Sequence, residues 1–511
     1  MKRPLAVSGF TALFFAFVLC IFSDSSFAIL SALVSYAAFM VSAVVPKLRK
    51  GYYLPTVMLC CLLVSVLFYG VQSDYEKLSS LAVSEADVVC RVEEEPVFNE
   101  EYGRYYCKAK VITINGSKYN GNIRLSFGTY DNMCPKQLII GDKLSFISQL
   151  YKVGGYSKEI ADYFRSENIY IGAYGIKNLS ITENELRPLG YYGNELRKFI
   201  SEKFRENFSR DTAGFLTALL TGDKTYVSDE IYDSFKNSGT AHLMAVSGMH
   251  LSVLTLFFAL FLERLRDRHK YLHFAVMCTF IFFIMFLASF SSSVVRAGVM
   301  LTLLFTGQLY EKYADSLNSL GFACLIIIIS NPFSVLSVGF LLSVFSTLAI
   351  IVSAVPFCNR HRYFISDRLG LSGKISFNIT RAVMLSIVIS LCVMVYTMPV
   401  MAISFGRISL VSPLANLLLL PVTTLIITLS FISAILCCLG IMPSLLTLIV
   451  EKISAYCIGV SDLLGGTDRF VLKVDTLFET ALCCAFPFVL YLAIKSIRYI
   501  RKKISKRKKP L

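Results

Sequence analysis

Apolar positions gather in long unbroken runs at 5–22, 27–45, 54–70, 272–290, 335–356, 382–404 and 476–494. Each holds about 18 residues or more, enough to cross a hydrocarbon core of roughly 30 Å as a helix rising about 1.5 Å per residue. Three such spans fill residues 1–70. From 71 to 205 no spanning run occurs, and the period changes from helical to two. Val88–Glu95, Tyr105–Ile114, Asn122–Phe127 and Lys143–Leu150 alternate apolar and polar residues, with turns at Asn115-Gly116, Gly128 and Gly141-Asp142. Closely spaced short strands predict a small closed barrel or sandwich over 71–182. Over 183–210 the pattern turns helical again, with Tyr191, Leu196, Phe199, Ile200, Phe204 and Phe208 on one stripe; this predicts an amphipathic helix lying on the membrane or on the bundle. Residues 211–494 form a second membrane block. Its expected spans, about nine, lie near 242–262, 272–290, 294–310, 317–330, 335–356, 382–404, 409–438, 441–462 and 476–494. The short runs of 294–330 leave room for a re-entrant segment. The fold class is a polytopic α-helical membrane protein with a β-rich domain.

Composition strengthens this reading. Of 511 residues, 55% are hydrophobic and 17% charged, with a mean hydropathy of +0.61, which excludes a soluble enzyme and a disordered chain. Charge placement sets topology. Lys2 and Arg3 precede the first run, Lys47, Arg49 and Lys50 separate the second from the third, and nine Lys and Arg lie between Lys495 and Lys509. The positive-inside rule puts these clusters, and hence both termini, in the cytoplasm and 71–210 on the extracytoplasmic face of the cell membrane. The tail 495–511 reads as a topology anchor on acidic lipid headgroups, with nucleic acid as the other polyanion it could touch. The first run resembles a signal peptide, but a second run follows closely with no small-x-small cleavage site, so a retained helix is expected. Within the polar segment, residues 71–103 carry two basic and nine acidic residues, a balance of −7, and residues 104–177 carry eleven basic and five acidic, a balance of +6.

Twelve of the fifteen cysteines lie in or beside apolar runs, where a thiol usually packs as a small residue. Cys90, Cys107 and Cys134 fall in the polar segment and allow one disulfide, for example Cys107–Cys134, with a thiol left over; the sequence does not fix the pairing. No Cys or His cluster has metal-ligand spacing, and no cofactor is indicated.

Three polar features stand where hydrocarbon would penalise them. In the segment Gly239–His250, His242 and His250 lie eight apart, close to one helical face if the segment is helical throughout, while Ser247 and Gly248 between them offer a break. Both histidines can equally be satisfied packing residues at a helix start. Arg296 follows three serines just inside a helix; it could pair bidentately with a phosphate or snorkel to headgroups. Arg407 precedes a run broken by Pro413, Asn416 and Pro421, which suggests a kinked or discontinuous helix, with Asn416 lining a polar path or bonding a neighbouring backbone. Enzyme readings find little support. Gly222-Asp223-Lys224-Thr225 lacks the glycines of a phosphate loop. Ala245–Gly248 is one residue short of the GxSG of rhomboid-type intramembrane serine proteases, and His250 is too close in sequence to Ser247 to come from another helix. No HExxH occurs.

The block Leu220-Thr221-Gly222-Asp223-Lys224, followed by Phe235 through His250, closely resembles the signature of the ComEC family of competence proteins. Ser293-Val294-Val295-Arg296-Ala297, Asn331-Pro332, Val338 through Ser343, Phe405 through Ser409 and Asn416-Leu417 with Pro421 match in order. Ahead of them, Gly141–Leu144, Ala161–Phe164 and Ile169–Ala173 look like that family's N-terminal OB-type domain. The resemblance implies a cell-membrane channel that takes up single-stranded DNA in natural transformation. Its extracytoplasmic OB-like barrel would receive the strand by basic grooves and aromatic stacking, tyrosines such as Tyr105, Tyr106 and Tyr119 fitting that role. The implied phosphate contacts are Arg296 and Arg407, and the implied lining is His242, Ser247, His250 and Asn416, with Gly239, Gly248 and Gly339 giving close packing or a break. Many family members also carry a metallo-β-lactamase-like domain proposed to degrade the second strand. This sequence contains no HxHxDH-type cluster, so a separate nuclease is expected, with a DNA receptor and a cytoplasmic helicase or translocase as further partners and homo-oligomers as an option. The competing reading is a transporter or channel for another anionic solute, the barrel serving assembly. An intramembrane hydrolase at Ser247 is a third.

Overall fold

The computed structural model describes residues 3–22, 29–31, 33–35, 53–82, 84–99, 102–128, 138–155, 157–184, 186–360, 371–466, 471–474, 476, 478–483 and 485–486. The expected spans at 27–45 and 476–494 (for the greater part), Cys134 and the tail 495–511 lie outside the described residues. Among those described, eight helices are long and apolar enough to cross a membrane: Pro4–Phe22, Thr56–Ser79, Lys270–Leu287, Ser292–Leu309, Val338–Phe357, Ala382–Phe405, Ser412–Cys438 and Ser444–Gly465. The protein is a multi-pass membrane protein with a separate OB-like barrel.

Contacts divide the chain into two units, Met1–Lys203 with Leu251–Leu341, and Phe204–His250 with Leu342–Leu511. The first unit draws helices from both halves of the sequence. In the first unit α1 (Pro4–Phe22) runs beside a helix over Ser316–Ser330, and three contacts keep a constant offset along them. Arg3 Nε donates to Asp315 Oδ2 at 2.9 Å and the Ala6 N–H to Asn318 Oδ1 at 3.1 Å. One turn on, a Cβ added to Gly9 would collide with the Gly321 carbonyl. The constant offset makes the pair parallel, and paired glycines let two backbones approach as in membrane helix dimers.

The helix α2 (Tyr53–Ser79) leads into the barrel. Its strands are β1 (Glu85–Val92), β2 (Val97–Asn99), β3 (Arg104–Ile114), β4 (Ser117–Lys118), β5 (Asn122–Gly128), β6 (Lys143–Lys152) and, after helix α3 (Lys158–Ser166), β7 (Ile169–Thr182). The order β1-β6-β7-β5-β3 closes on itself because β1 also pairs with β3. Only the β5–β7 pairing among the barrel's is parallel. Alternation builds the core: Val88, Cys90 and Val92 face in from β1, and Cys107, Ala109 and Val111 from β3. Cys107 is a buried thiol whose sulfur donates to the Glu94 carbonyl at 3.0 Å; a bridge to Cys134 falls on a residue outside the described ones. The 14-residue β7, the longest strand, and α3 were not expected from the alternation, since β7 is buried on both faces over its first five residues and reads as a plain apolar run.

Helix α4 (Leu189–Asn207) realises the expected amphipathic element. Lys198 Nζ reaches Glu95 Oε1 of the barrel at 2.6 Å. Ile200, Phe204 and Phe208 are buried, whereas Phe199 is exposed.

In the second unit α5 (Arg210–Thr221) is buried from Thr212 to Thr221. The Ser209 N–H and hydroxyl and the Thr212 hydroxyl all donate to the Glu451 carboxylate, at 2.7, 2.9 and 2.7 Å, which satisfies the helix start. Gly222, at φ 81°, ends the helix in the left-handed region. Helix α6 (Asp229–Asn237) follows.

Two expected spans are shorter than predicted. The stretch 242–262 is helical only as α7 (Gly248–Phe261), about 21 Å at 1.5 Å per residue, because the residues before Gly248 do not join the helix. The short α8 (Glu263–Arg268) precedes α9 (Lys270–Leu287), α10 (Ser292–Leu309) and α11 (Ser316–Ser330), which covers 15 residues and ends in the 3-10 turn Pro332–Leu336. After α12 (Val338–Ala349) a π-turn, Ile350–Ala354, leads to α13 (Val355–Arg360); Pro356 has no N–H for an ordinary helical bond there. Helix α14 (Leu371–Phe405) then precedes β8 (Arg407–Ser409), so the expected span 409–438 begins at Ser412, as α15 (Ser412–Cys438). Finally α16 (Ser444–Gly465) and β9 (Val471–Lys473) follow, with β9 antiparallel to β8. On α16 the small residues Ser454, Cys457, Ser461 and Gly465 are buried on one stripe, and a Cβ on Gly465 would strike the Ser234 carbonyl of α6.

Candidate functional site

The segment Gly239–His250 belongs to the second unit and is broken. Gly239 has φ 76°, and an added Cβ would sit 2.7 Å from Ser412 Cβ and 3.0 Å from Ser409 Cβ, so both conformation and close approach demand glycine. The Thr240 N–H donates to the Phe235 carbonyl at 2.8 Å. A single 3-10 turn, Ala241–Met244, carries His242, and irregular backbone follows until α7 opens at Gly248. His242 and His250 therefore do not share a helical face; His242 is exposed and His250 is 1% exposed.

Ser247 stands at the N-cap of α7 and His250 at the third helical position. The Ser247 N–H donates to His250 Nδ1 at 3.2 Å, and Ser247 Oγ lies 2.7 Å from the same nitrogen. This has the logic of a capping box, with histidine in the place glutamate usually takes. Because a backbone N–H can only donate, Nδ1 is the acceptor, Ser247 Oγ donates to it, and the ring proton falls on Nε2. No hydrogen bond of normal geometry reaches that Nε2 among the described residues. Nearness in sequence is what brings the serine and histidine together, through one helical turn rather than across two helices.

Asn416 lies on the first turn of α15, its Nδ2 donating to Ser412 Oγ at 3.3 Å, and Ser412 Oγ in turn lies 3.5 Å from the Gly239 carbonyl. Asn416 Oδ1 and Ser409 Oγ are buried without a partner among the described residues. The structure thus joins Gly239 and Asn416 through Ser412, a serine the sequence reading did not single out, and packs Ser409, the last residue of the matching motif at 405–409, against Gly239. Arg407 is exposed on β8, directly opposite Lys473 of β9; two like charges at facing positions repel unless an anion lies between them. Gly339 makes no close approach, since an added Cβ would meet only Ser337 Oγ at 3.9 Å. Arg296, in the first unit, is buried on α10 rather than snorkelling, its Nη1 3.7 Å from Met300 Sδ.

The first unit also carries a polar platform on the outside of the barrel. Arg104, Tyr106 and Lys108 alternate with inward Cys107 and Ala109 along β3. Register places Lys108, Arg124, Gly172 and Tyr151 in one row across β3, β5, β7 and β6. A Cβ on Gly172 would fall within the Tyr151 ring, so the missing side chain is what allows that ring to lie across β7. The Arg124 guanidinium stacks 3.7 Å from the Tyr106 ring centre and 4.9 Å from that of Phe164, and Arg104 Nη1 donates to Ser126 Oγ at 3.3 Å. Burial pushes the Tyr151 hydroxyl pKa up, with the nearby Arg124 charge acting the other way. Not every cation of the row is available. Lys108 Nζ lies 3.6 Å from Glu94 and 3.5 Å from Glu167; burial works against its charge, but those carboxylates outweigh it and raise the pKa. Lys177 pairs with Glu85 at 3.0 Å and Arg187 with Asp142. Arg104 and Arg124 have no carboxylate partner among the described residues. Of the tyrosines singled out from the sequence, Tyr106 lies on this platform, while Tyr105 packs on Phe98 at 4.9 Å between ring centres.

A multi-pass helical membrane protein with an OB-like barrel, on which Arg124 stacks between two aromatic rings with no carboxylate partner among the described residues, defines the class. The family model described as Competence protein matches residues 219–498, more than half of the chain, and the chain belongs to that family. A curated relative, ComE operon protein 3 of Bacillus subtilis (strain 168), is 25% identical over 249 residues, covering 49% of this chain and 29% of the relative. The chain therefore aligns with less than a third of that relative's length. No solved structure matches the chain.

Proposed function

We propose that the protein is a cell-membrane channel for uptake of single-stranded DNA in natural transformation. The observation that carries this is the barrel platform, where Arg124 is held between two aromatic rings with Arg104 and Tyr151 beside it. Phosphates meet the arginines and bases meet the ring faces, the combination that sequence-tolerant single-strand binding requires. The broken segment at Gly239–His250, with Ser409, Ser412 and Asn416, supplies polar groups for a route through the membrane, and the facing pair Arg407 and Lys473 supplies a phosphate contact.

The parallel pair supports an orientation. Arg3 and Asp315 meet at one end of α1 and α11, and Asn331, just past the other end of α11, donates to the Ser166 carbonyl at the foot of the barrel at 2.9 Å. With Lys2 and Arg3 in the cytoplasm, the barrel is extracytoplasmic. A separate nuclease, a DNA receptor and a cytoplasmic helicase or translocase complete the process, and lipid surrounds the bundle.

The test is fluorescence anisotropy of a labelled oligonucleotide with the full chain in detergent, across a salt series. Binding that weakens linearly in log–log form with salt supports the reading. No binding to single strands at low salt overturns it in favour of another anionic solute.

A further inference from the structure

The motif Asn331-Pro332, which the channel reading leaves without a role, meets the end of α3 in the first unit. Arg165, at the end of α3, is 8% exposed. Its guanidinium lies 4.8 Å from the Tyr75 ring centre, on α2, and 4.5 Å from that of Phe333, in the 3-10 turn after α11. Arg165 Nη2 donates to Gln72 Oε1 of α2 at 3.1 Å, and Nη1 lies 3.6 Å from Asp162. Next to it, Asn331 is used twice, its Oδ1 accepting from the Phe333 N–H at 3.0 Å and its Nδ2 donating to the Ser166 carbonyl at 2.9 Å. The rings of Tyr170, on β7, and Tyr75 stand edge to face at 5.6 Å, Tyr170 and Phe333 at 6.3 Å, and Phe68 and Phe333 at 5.5 Å. One guanidinium thus ties a barrel helix, a membrane helix and a membrane turn, in a shell of aromatic edges.

We infer that Arg165 is the positioning residue of a rigid joint that fixes the barrel on α2 and the end of α11, so that a strand held by the barrel is delivered in one direction. The inference rests on the single-strand reading for its purpose, and on the packing alone for its existence. A guanidinium can stack on ring faces and bond to an amide and a carboxylate together because its donors lie in its own plane, whereas an ammonium concentrates its charge at one point. Lysine at 165 would retain the ion pair with Asp162 and lose the planar stacking.

The experiment uses the full chain in nanodiscs, with spin labels on genetically encoded keto amino acids at Lys118 of the barrel and Tyr313 of the α10–α11 loop, both exposed. The wild type is expected to give a single narrow distance distribution. Arg165→Ala is expected to broaden it, Arg165→Lys to broaden it partly, and Phe333→Leu to broaden it even where Arg165→Ala is poorly produced. Oligonucleotide affinity should stay within twofold of wild type in all three, while DNA entry into cells falls about tenfold or more. A distribution as narrow in Arg165→Ala and Phe333→Leu as in the wild type overturns the joint. Loss of affinity in step with entry overturns its positioning role. Failure of the wild type to bind single strands leaves the width measurement standing and counts against the channel reading instead.

Discussion

Arg124 shows how one side chain can prepare a surface for a polyanion. Its plane is held by stacking between Tyr106 and Phe164, so little side-chain freedom remains to be lost on binding. Lys108, its cross-strand neighbour, is drawn to Glu94 and Glu167 instead. We expect Arg124→Ala to lower the slope of log affinity against log salt by about 0.7, the contribution of one phosphate contact on a single strand. Tyr106→Ala should weaken binding about five- to 150-fold, corresponding to about 1–3 kcal/mol of base stacking, with the slope little changed. Lys108→Ala should leave the slope unaltered. An Arg124→Ala slope equal to wild type would remove that residue from the interface. His250 offers a different residue-scale test. If it serves as the acceptor of a capping box for Ser247, His250→Gln should retain most of the thermal stability in detergent, while His250→Ala loses about 1 kcal/mol. Equal losses in both variants would mean that the ring itself, through Nε2, matters more than the cap.

At the scale of elements, the spanning helices and barrel strands β1, β3, β5 and β6 were legible because each follows a single period over its length. What escaped was set by contacts distant in sequence. Ser409 and Ser412 gain meaning only through Gly239, some 170 positions away, whose missing Cβ admits them. Tyr151 and Arg124 become neighbours only through Gly172 on a strand between theirs. The eight-residue spacing of His242 and His250 suggested a shared face, but a 3-10 turn and an unwound stretch intervene, because Ser247 starts a new helix. Helix pairing makes its own prediction. Leucine at Gly9 or Gly321 would force α1 and α11 apart, and membrane-inserted protein should fall sharply on immunoblots, whereas leucine at Gly70, which has open space around it, should be tolerated. The end of the same pair is pH-sensitive. Burial alone would raise the Asp315 pKa, but the Asn318 N–H and Arg3 hold it below the ordinary carboxylate value. A depressed carboxylate stabilises above its unfolded pKa and loses that contribution as pH falls through the folded one. Unfolding in detergent should therefore show an acid-side loss of stability below about pH 4 that Asp315→Asn reduces; an unchanged profile in the variant would exclude this pair as a contributor.

For the whole molecule, the sequence motifs of the competence family sort into two kinds of work. Gly239 through His250, Ser409 and Asn416 assemble a broken, polar stretch within one unit, and Asn331 with Phe333 meets the barrel helix within the other. On the barrel Lys108 and Lys177 are drawn to carboxylates, while Arg124 stacks between aromatic rings, an arrangement a strand of any sequence could use. The matched residues show membership in the competence family, and under the proposed function the platform would be where a strand is gripped. The central claim is that DNA reaches the cytoplasm through this protein. The direct measurement follows labelled DNA in the native host, comparing a deletion strain that lacks any second family member with strains complemented by wild type and by Arg124→Ala. The account predicts that label accumulates outside the cell membrane in the deletion, enters with the wild type, and enters slowly with Arg124→Ala. Normal entry in the deletion strain would contradict it.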